Sequence, residues 1–406
     1  MTLEEFELLK IFPLQEWLVE NEQEKPDQIA LRKNLEPQLR RLLANQLKYW
    51  QRSKKKLPAY HQAGCILPGR AYEQASSEQA ANLKDTTTGR VLDLTAGLGV
   101  DTLAFAKHGA SVVALEANPV LASIGHYNLE KLGISNVNLL NQSAEAYLKS
   151  YTGRTFDLIY ADPDRRDSSG KRQVLIDRLS PNLISLMPRL RELAPRLLFK
   201  LSPLFDPAEA IRIFPEISKL SVVSINREVK EVLVDIQFDE PGEFTQEAIV
   251  QLGEFQFRHS FPRKELLTIS HWPDLDTHPT GYLFEPDPAY YRLRCLPQLF
   301  STYYSDLNVT LNDSLGYGWG TNKPGAIPFP GQVYHIEAVC PYKPKSLKKM
   351  LKGKKIGIKQ RNFPFTVQQI RKQLQVPDGS DHFLICTSQA KKNWAFLCKQ
   401  AVKYFD

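Results

Sequence analysis

Two stretches of this chain hold acidic residues in settings that suit chemistry on a bound ligand. The first, Asp93 to Asp101, reads D-x-x-x-G-x-G-x-D and follows a short apolar segment. The second, Asp162 to Arg166, reads D-P-D-R-R and also follows an apolar segment. Gly97 and Gly99 let the backbone approach a ligand closely, because glycine has no Cβ and tolerates a positive φ. The first stretch therefore predicts a nucleotide-binding turn between a strand and a helix.

A further acid follows the glycine turn at the end of the next apolar run. This run, 111–115, is followed directly by Glu116, about twenty residues beyond the glycines. In α/β nucleotide sites, a carboxylate at this strand end accepts hydrogen bonds from the ribose hydroxyls. The sequence therefore predicts that Glu116 binds a ribose.

The elements that must position these acids alternate between strand and helix. Such alternation is typical of a doubly wound parallel α/β sheet, and a final strand pair with a short turn predicts a closing hairpin. Residues 1–88 are predicted to be helical, with an amphipathic helix at 35–50. The expected later elements are strands at 91–94, 111–115, 136–140, 156–161 and 196–201, helices at 101–108, 118–132 and 174–190, and a hairpin of 220–225 with 232–238. Beyond these, the sequence predicts strand-like pieces at 248–257, a domain junction at 329–331 and a final strand at 382–387.

The glycine turn resembles motif I of class I S-adenosylmethionine (SAM) methyltransferases. Position 102 is threonine, so the third glycine of a dinucleotide-binding turn is missing. The sheet with its terminal hairpin resembles the Rossmann-like seven-stranded fold of this class. The resemblance implies SAM as the cofactor, with Asp93 near its methionine end and Glu116 on its ribose. The cofactor contacts that it implies are Asp93, Thr95, Gly97, Gly99, Asp101, Glu116, Ala117, Ser143, Ala144 and Asp162.

Two of the cofactor contacts that the resemblance implies are left open by the sequence. Family members contact the adenine at the position of Ser143 and often carry an acid there, which this chain lacks. The helix that precedes the first strand often covers the methionine end of SAM in this class. Gln74, Ser76, Ser77 and Glu78 are therefore candidates for the cofactor pocket, or they simply cap that helix.

The second acidic stretch indicates which atom is methylated. Enzymes that methylate exocyclic amines of bases carry D/N-P-P-Y/F/W at the tip of the fourth strand, where the acid accepts the protons of the amine. Here Asp162 and Pro163 match, and Arg165 replaces the aromatic residue. D-P-P-R occurs in uridine C5 methyltransferases, but these need a cysteine nucleophile after the fifth strand, where this chain has K-L-S-P at 200–203.

We therefore predict methylation of a base nitrogen rather than covalent C5 chemistry. Asp162 would orient or deprotonate the nucleophile, while Asp164, Arg165 and Arg166 would position the base or its phosphate. An arginine can stack on a base as well as pair with phosphate. Alternatively, Asp164 and Arg165 pair with each other in a loop.

The C-terminal region is strongly basic. From residue 341 to 406 there are 15 Lys and Arg against 3 Asp and no Glu, whereas the whole chain has a net charge of +7. Such a region favours a polyanionic partner, most simply a nucleic acid. Arg361 is a candidate substrate-binding residue, and Phe363 and Phe365 either stack on RNA or pack in the core.

Nearly the whole chain resembles a bacterial class I methyltransferase family with ferredoxin-like and THUMP-like C-terminal domains. Because THUMP domains are associated with RNA-modifying enzymes, the resemblance implies RNA as substrate. It predicts helical residues 1–88, a SAM-binding domain at 89–240, a ferredoxin-like α+β domain at 241–332 and a basic THUMP-like domain at 333–406. It rests on L-P at 57–58, E-Q-x-S-S-E at 73–78, D-L-T-x-G-x-G-V-D at 93–101, D-P-D-R-R at 162–166 and R-N-F-P at 361–364.

The composition excludes several other classes. With 24% charged and 42% hydrophobic residues, the chain is typical of a globular protein, and no apolar run approaches the roughly 20 residues of a membrane span. Without a signal-peptide pattern, a cytoplasmic location is expected. Five dispersed cysteines argue against a disulfide framework and a zinc site, so we expect buried free thiols and no metal.

Three other functions remain possible from the sequence. A methyltransferase of a small molecule or protein would not need nucleic acid. An RNA-binding protein with a vestigial SAM fold would not bind SAM. A NAD-dependent reductase is disfavoured by Thr102 and by the terminal hairpin.

Overall fold

In the computed structural model of the chain, the predicted alternation of strands and helices begins at Arg90. Two units are formed, one from Met1–Lys219 and Val232–Gly242 and the other from Leu220–Glu231 and Glu243–Asp406. The four-part division predicted from the sequence stays a prediction. The structure describes residues 1–163, 179–239, 242–262, 273–312, 316–323, 325, 328–389 and 391–402.

Seven helices precede the first strand, as the sequence predicts. The longest, α4, buries Leu42, Leu43, Leu47 and Trp50 against Phe6 and other apolar residues of the first two helices. Its last turn carries the basic residues 54–56, where cations interact favourably with the helix dipole. The seven are α1 (Leu3–Ile11), α2 (Leu14–Glu20), α3 (Pro26–Ala30), α4 (Pro37–Lys56), α5 (Pro58–Ala63), α6 (Gly69–Gln74) and α7 (Glu78–Asn82).

The next seven strands have the order β3-β2-β1-β4-β5-β7-β6. Strands β1 to β5 are parallel and β7 is antiparallel to β5, so the predicted seven-stranded class I arrangement is confirmed. The order reverses between β1 and β4, where open α/β sheets bind ligands beyond the carboxyl ends of their strands. These strands are β1 (Arg90–Asp93), β2 (Ser111–Leu115), β3 (Val137–Leu140), β4 (Leu158–Ala161), β5 (Arg196–Leu201), β6 (Ile217–Ile225) and β7 (Glu228–Gln237).

Two of the three helices predicted in this region are present, the third begins later than predicted, and the helices at Ala144–Ser150 and Pro207–Ile213 were not predicted. The helix predicted at 174–190 begins only at Leu183, where the side chain of Asn182 caps it by accepting a hydrogen bond from the Ser185 amide. Pro181 disfavours helical geometry for the residue before it, and 174–178 lie outside the described residues. The helices are α8 (Val100–Lys107), α9 (Pro119–Lys131), α10 (Ala144–Ser150), α11 (Leu183–Leu193) and α12 (Pro207–Ile213).

The second unit contains a seven-stranded sheet of order β11-β12-β10-β13-β16-β15-β14, in which only the described pair β14 and β15 is parallel. Two short 3-10 turns (Leu275–Thr277, Ser305–Leu307) and a π turn (Leu299–Tyr303) connect its elements. The strands and helices of the second unit, of which β8 and β9 are not part of this seven-stranded sheet, are β8 (Thr245–Leu252), β9 (Phe255–Pro262), β10 (Gly281–Pro286), α13 (Pro288–Leu293), α14 (Leu296–Gln298), β11 (Thr310–Asn312), β12 (Tyr317–Gly320), β13 (Gly331–Pro341), α15 (Pro344–Met350), β14 (Gly357–Gln360), α16 (Val367–Leu374), β15 (His382–Gln389) and β16 (Lys392–Val402).

The sequence patterns underestimated the strands of this unit. The strand-like segment at 248–257 is a hairpin of β8 and β9, and residue 331, read as a domain junction, starts β13. The predicted final strand at 382–387 is followed by β16, which pairs with both β15 and β13. No helix in the described part of the chain combines the length and apolar character that a bilayer crossing requires.

Candidate active site

The glycine turn lies at the carboxyl end of β1 and has a backbone that other residues would strain. Gly97 has φ +56° and Gly99, the N-cap of α8, has φ +83°. Two main-chain amides just before the glycines are fixed by hydrogen bonds. The Leu94 amide donates to the Tyr160 carbonyl at 2.9 Å, and the Ala96 amide donates to the Leu115 carbonyl at 2.8 Å. The turn is therefore held by β1's two neighbouring strands.

Glu116 lies at the carboxyl end of β2 and closes over this turn. Its Oε2 accepts a hydrogen bond from the Gly97 amide at 3.0 Å, and its Oε1 accepts one from the Asn118 amide at 2.7 Å. Burial raises the pKa of Glu116, although both hydrogen bonds act to lower it. Because a carboxylate has about four acceptor positions, two remain for the hydroxyls of a ribose.

Asp93 lies beneath the turn rather than in the cavity. It is 1% exposed, and it accepts hydrogen bonds from the Thr95 amide at 2.9 Å and from the Thr102 hydroxyl at 2.6 Å. Burial raises the pKa of Asp93 to about 7, despite both hydrogen bonds, and the charges of Asp101 and Asp162 raise it further. Asp93 thus supports the turn through these two hydrogen bonds, and its predicted contact with the cofactor stays a prediction.

Asp101, in the first turn of α8, is held by a buried lysine. The Lys84 side chain is 0% exposed, and its Nζ donates to Asp101 Oδ1 at 2.7 Å. The Ser76 hydroxyl donates to Oδ2 at 3.0 Å. Burial acts to raise the pKa of Asp101, but Lys84 and Lys200 outweigh it and hold this pKa below its usual value. Asp101 is therefore an anion whose charge is compensated inside the protein.

Lys200, in β5, joins this pair to Asp162 at the tip of β4. It forms an ion pair with Asp162, lies 3.9 Å from Asp101 Oδ2 and donates to the Ser76 hydroxyl at 3.0 Å. The main-chain amide of Asp162 donates to Thr95 Oγ1 at 2.7 Å. Both the carboxylate and the backbone of Asp162 are thereby oriented by the protein.

The sequence analysis did not select either lysine. One signal was available for Lys200, which interrupts the apolar strand R-L-L-F-K-L. A cation on a buried strand is costly unless it has an anionic partner nearby. Lys84 carries no comparable local signal, because A-N-L-K-D is an ordinary end for a short helix.

A cavity of about 730 Å³ opens over the carboxyl ends of β1, β2 and β4. Its size is within the range of small-molecule and cofactor pockets. Asp93 and Gly99 lie beside it without lining it, whereas Gln74 and Ser76 line it. Among the predicted cofactor residues, those that line it are Thr95, Gly97, Asp101, Glu116, Ala117, Ser143, Ala144 and Asp162.

Three other candidates near the cavity have structural contacts. Ser77 caps α7 by accepting from the Ala80 amide, and Ser143 caps α10 in the same way. Glu78 accepts a hydrogen bond from the Ala59 amide at 2.9 Å. Of these three, only Ser143 also lines the cavity.

The sequence also predicts roles for four further residues, Asp164, Arg165, Arg166 and Arg361. Asp164, Arg165 and Arg166 are outside the described residues. Arg361 belongs to the second unit. The two phenylalanines that follow it, at 363 and 365, pack with Tyr342 in the core cluster around α15 and α16, which favours the packing interpretation over stacking on RNA.

None of the cavity-lining residues is a cysteine. All five cysteines of the chain are free thiols, four of them buried and Cys340 partly so. Burial raises the pKa of Cys65 to about 12. The described cavity therefore offers no thiolate that could attack a pyrimidine ring.

Comparison with known proteins agrees with this geometry. The family model described as "Putative SAM-dependent methyltransferase" matches residues 68–171, which include the glycine turn, Glu116 and Asp162. The model described as "THUMP domain-like" matches residues 331–400. The chain thus matches a SAM-dependent methyltransferase domain in one region and a THUMP-like domain in another.

Curated relatives cover only part of the chain. A 23S rRNA (uracil(1939)-C(5))-methyltransferase RlmD of Pectobacterium atrosepticum is 30% identical over 139 residues, 31% of either chain. The same enzyme of Klebsiella pneumoniae is 33% identical over 102 residues, 25% of this chain and 22% of the relative. The match therefore spans about a third or less of these relatives. The crystal structure of a "putative methyltransferase" from Porphyromonas gingivalis W83 aligns with a TM-score of 0.81 and 25% identity, over 97% of this chain and 98% of that one.

The cofactor of this domain is SAM, and the cavity has features that fit it. The glycine turn permits close approach of the backbone, Glu116 has acceptor positions left for a ribose, and Leu98, Leu115 and Leu121 provide apolar walls. Arg70 also lines the cavity and brings a cation suited to a carboxylate. We take these contacts with SAM as proposals.

Proposed function

We propose that the chain transfers a methyl group from SAM to a nitrogen atom of a base in RNA. The observation that carries the proposal is the oriented carboxylate of Asp162, which lines the cavity and is 34% exposed. Two features support RNA as the substrate: the match to a THUMP-like domain and the basic composition of 341–406. The named activity of the partial relatives, methylation of 23S rRNA, points to the same class of substrate.

SAM supplies a methyl group that its sulfonium activates for displacement, so the protein mainly has to align the nucleophile and manage one proton. Asp162 does both in this proposal: its carboxylate accepts the hydrogen of the base nitrogen and directs the lone pair of that nitrogen into the cavity. Lys200 and the Thr95 hydroxyl fix Asp162 before a substrate arrives. This preorganisation lowers the entropic part of the barrier.

Nitrogen is proposed as the methylated atom although the relatives are named as uracil C5 enzymes. C5 methylation needs a nucleophile that adds to the pyrimidine ring, usually a thiolate. No cysteine lines the cavity, and Ser202 after β5 is not one of the lining residues. A hydroxyl is a much weaker nucleophile than a thiolate, so an amine or ring nitrogen is the better acceptor.

The other roles expected from the sequence remain part of the proposal. Asp164, Arg165 and Arg166 would position the base or its phosphate, and Arg361 would bind RNA. The target base would be in a loop, at an end or flipped, because a base within a duplex cannot enter such a cavity. A cytoplasmic location belongs to the same proposal, since ribosomal and transfer RNA are found there.

The test is transfer of a labelled methyl group from SAM to total RNA of a strain that lacks this gene, followed by nuclease digestion and mass analysis. Asp162→Asn should lower the rate about 10²- to 10⁴-fold, the usual contribution of a general base. The affinity for SAM should change little. Glu130→Gln, an exposed acid on α9, is the matched control and should retain full activity.

Each outcome of this experiment decides a part of the proposal. Label in one N-methylated nucleoside would establish the reaction and name the atom. Label in 5-methyluridine would overturn the assignment to nitrogen. No label in RNA, with SAM bound, would overturn RNA as the substrate. A loss of SAM binding in Asp162→Asn would instead assign Asp162 to the cofactor.

A further inference from the structure

The second unit contains a group of three cations around one buried carboxylate, which we call the cation cluster: Arg227, Lys359, Arg361 and Glu285. Glu285 Oε2 accepts from Lys359 Nζ at 2.7 Å and lies 3.0 Å from Arg227 Nη2. The Tyr334 hydroxyl donates to the same oxygen at 3.2 Å. One carboxylate oxygen therefore already serves three donors and has little capacity for more.

Positive charge is in excess in the cation cluster. Among the described residues, the acids whose charges act on its cations are Glu285 and Asp287. Burial lowers the pKa of Lys359, and repulsion by Arg227 and Arg361 lowers it further, against the attraction of Glu285. Three cations thus face two carboxyl groups, which leaves one positive charge in excess even when both carboxyl groups are ionised. An added anion would remove this imbalance.

The backbone at Arg227 is in a conformation that arginine rarely adopts. Asn226 and Arg227 form the two-residue turn between β6 and β7, with φ +49° and +67°. Such turns have a positive φ at both residues and favour Asn-Gly. A non-glycine residue held in this region is strained, and such residues cluster at functional sites. The turn directs the guanidinium of Arg227 to Glu285.

Arg361 is held by two aromatic rings and a backbone carbonyl. Its guanidinium lies 4.0 Å from the ring centroid of Tyr291 and 5.1 Å from that of Tyr317. Its Nη1 donates to the Gly316 carbonyl at 3.3 Å. Among the described contacts of Arg361, none is an ion pair with a carboxylate. The rings orient the guanidinium without neutralising it.

We propose that the cation cluster binds a phosphate group of RNA. Guanidinium groups present planar pairs of donors that match phosphate oxygens, and the lysine adds a point charge. RNA is the favoured source because the surrounding region is rich in lysine and arginine, and this choice of source rests on the proposed function. The phosphate is either an internal phosphodiester or a terminal phosphate of the strand.

The test compares two cation-to-glycine substitutions in the full-length protein. Arg227→Gly removes a cation of the cluster and places glycine where φ is +67°. Lys391→Gly, in the turn between β15 and β16, removes an exposed cation where φ is +64° and serves as the matched control. Both changes remove one charge and suit the local backbone, so neither is expected to unfold the protein.

The first measurement is the affinity for a short single-stranded RNA as a function of salt. Losing one phosphate contact should lower the salt slope by about 0.7 in Arg227→Gly, which corresponds to about fivefold weaker binding at 0.1 M salt. Lys391→Gly should leave the slope unchanged. Comparing the same RNA with and without a 5′-phosphate distinguishes an internal phosphodiester from a terminal phosphate. If the cation cluster binds the terminal phosphate, removing that phosphate should weaken binding to the wild type by a similar factor.

The second measurement does not depend on RNA: line broadening of inorganic phosphate in ³¹P spectra should occur with the wild type and be lost with Arg227→Gly. Equal salt slopes for the two variants, or phosphate broadening that persists in Arg227→Gly, would overturn the site. If both measurements support the cation cluster as a phosphate site but no methyl group is transferred to RNA, the proposed function is refuted and the anion site is not.

Discussion

Asp93→Asn should reduce the loss of stability that the first unit shows as the pH rises. Asp93 is buried, and burial raises its pKa to about 7 although two hydrogen bonds oppose the shift. Asparagine has nearly the same shape. Its carbonyl oxygen can still accept from the Thr95 amide, and its amide group can donate to the Thr102 hydroxyl. The substitution therefore removes the ionisation and keeps the turn.

The size of the effect follows from the difference between the folded and unfolded pKa values. In the unfolded chain an aspartate has a pKa of about 3.9. Because the folded value is higher, the folded protein keeps a proton that the unfolded chain has released, so stability falls as the pH rises from about 4 through about 7. The loss is about 1.4 kcal/mol per pH unit, or about 3 kcal/mol between pH 5 and 7. Above about pH 7.5 this contribution is constant.

The assay is urea unfolding at pH 5, 6, 7 and 8, followed by pulsed hydrogen exchange of β1 at one fixed labelling pH, so that the readout reports on the first unit. Other titrating groups are common to both proteins and cancel in the difference. The Asp93→Asn variant should gain stability relative to the wild type as the pH rises to 7. A difference between the two proteins that does not vary with pH would refute the reasoning.

The remaining predictions concern the turn and the oriented acid. Thr95→Val leaves the Asp162 amide without its acceptor and should cost about 1–3 kcal/mol in thermal unfolding, while Thr95→Ser should restore it. Gly99→Ala should destabilise the protein by about 1 kcal/mol or more because φ is +83°, whereas Gly242→Ala, with open space around it, should be nearly neutral in the same assay. Lys200→Met should lower kcat about five- to tenfold at unchanged SAM affinity, a modest effect because Asp162 is a third exposed, and Lys200→Arg should recover part of it.

The features that the sequence predicted well have local causes. Gly97 and Gly99 are required by the dihedral angles of one turn, and Glu116 ends the next strand at a fixed chain distance. Strands β1 to β5 and the helices between them follow from short apolar runs with cap residues beside them. Asn118, for instance, caps α9 through its side chain and is followed by proline at the first helical position.

The features that the sequence missed depend on residues distant in the chain. Lys200 contacts Ser76, which is 124 positions earlier, and no periodicity connects the two. Strand β16 begins at the second of two consecutive lysines and contains polar residues, so its pattern looks weak. It is a central strand only because β13 and β15 bury it from both sides. The placement of Asp93 was also non-local, since its burial depends on Thr102 and on the strands around it.

The pairing of charges changes what the acids of the cavity can do. In the sequence, Asp101, Glu116 and Asp162 look like three anions facing one ligand. In the structure, Lys84 and Lys200 compensate Asp101 and Asp162, so these four residues together carry no net charge. The described partners of Glu116 are backbone amides, which do not cancel its charge. Negative potential is thereby concentrated where ribose hydroxyls would donate, while the end at Asp162 stays close to neutral, as the entry of an uncharged base requires.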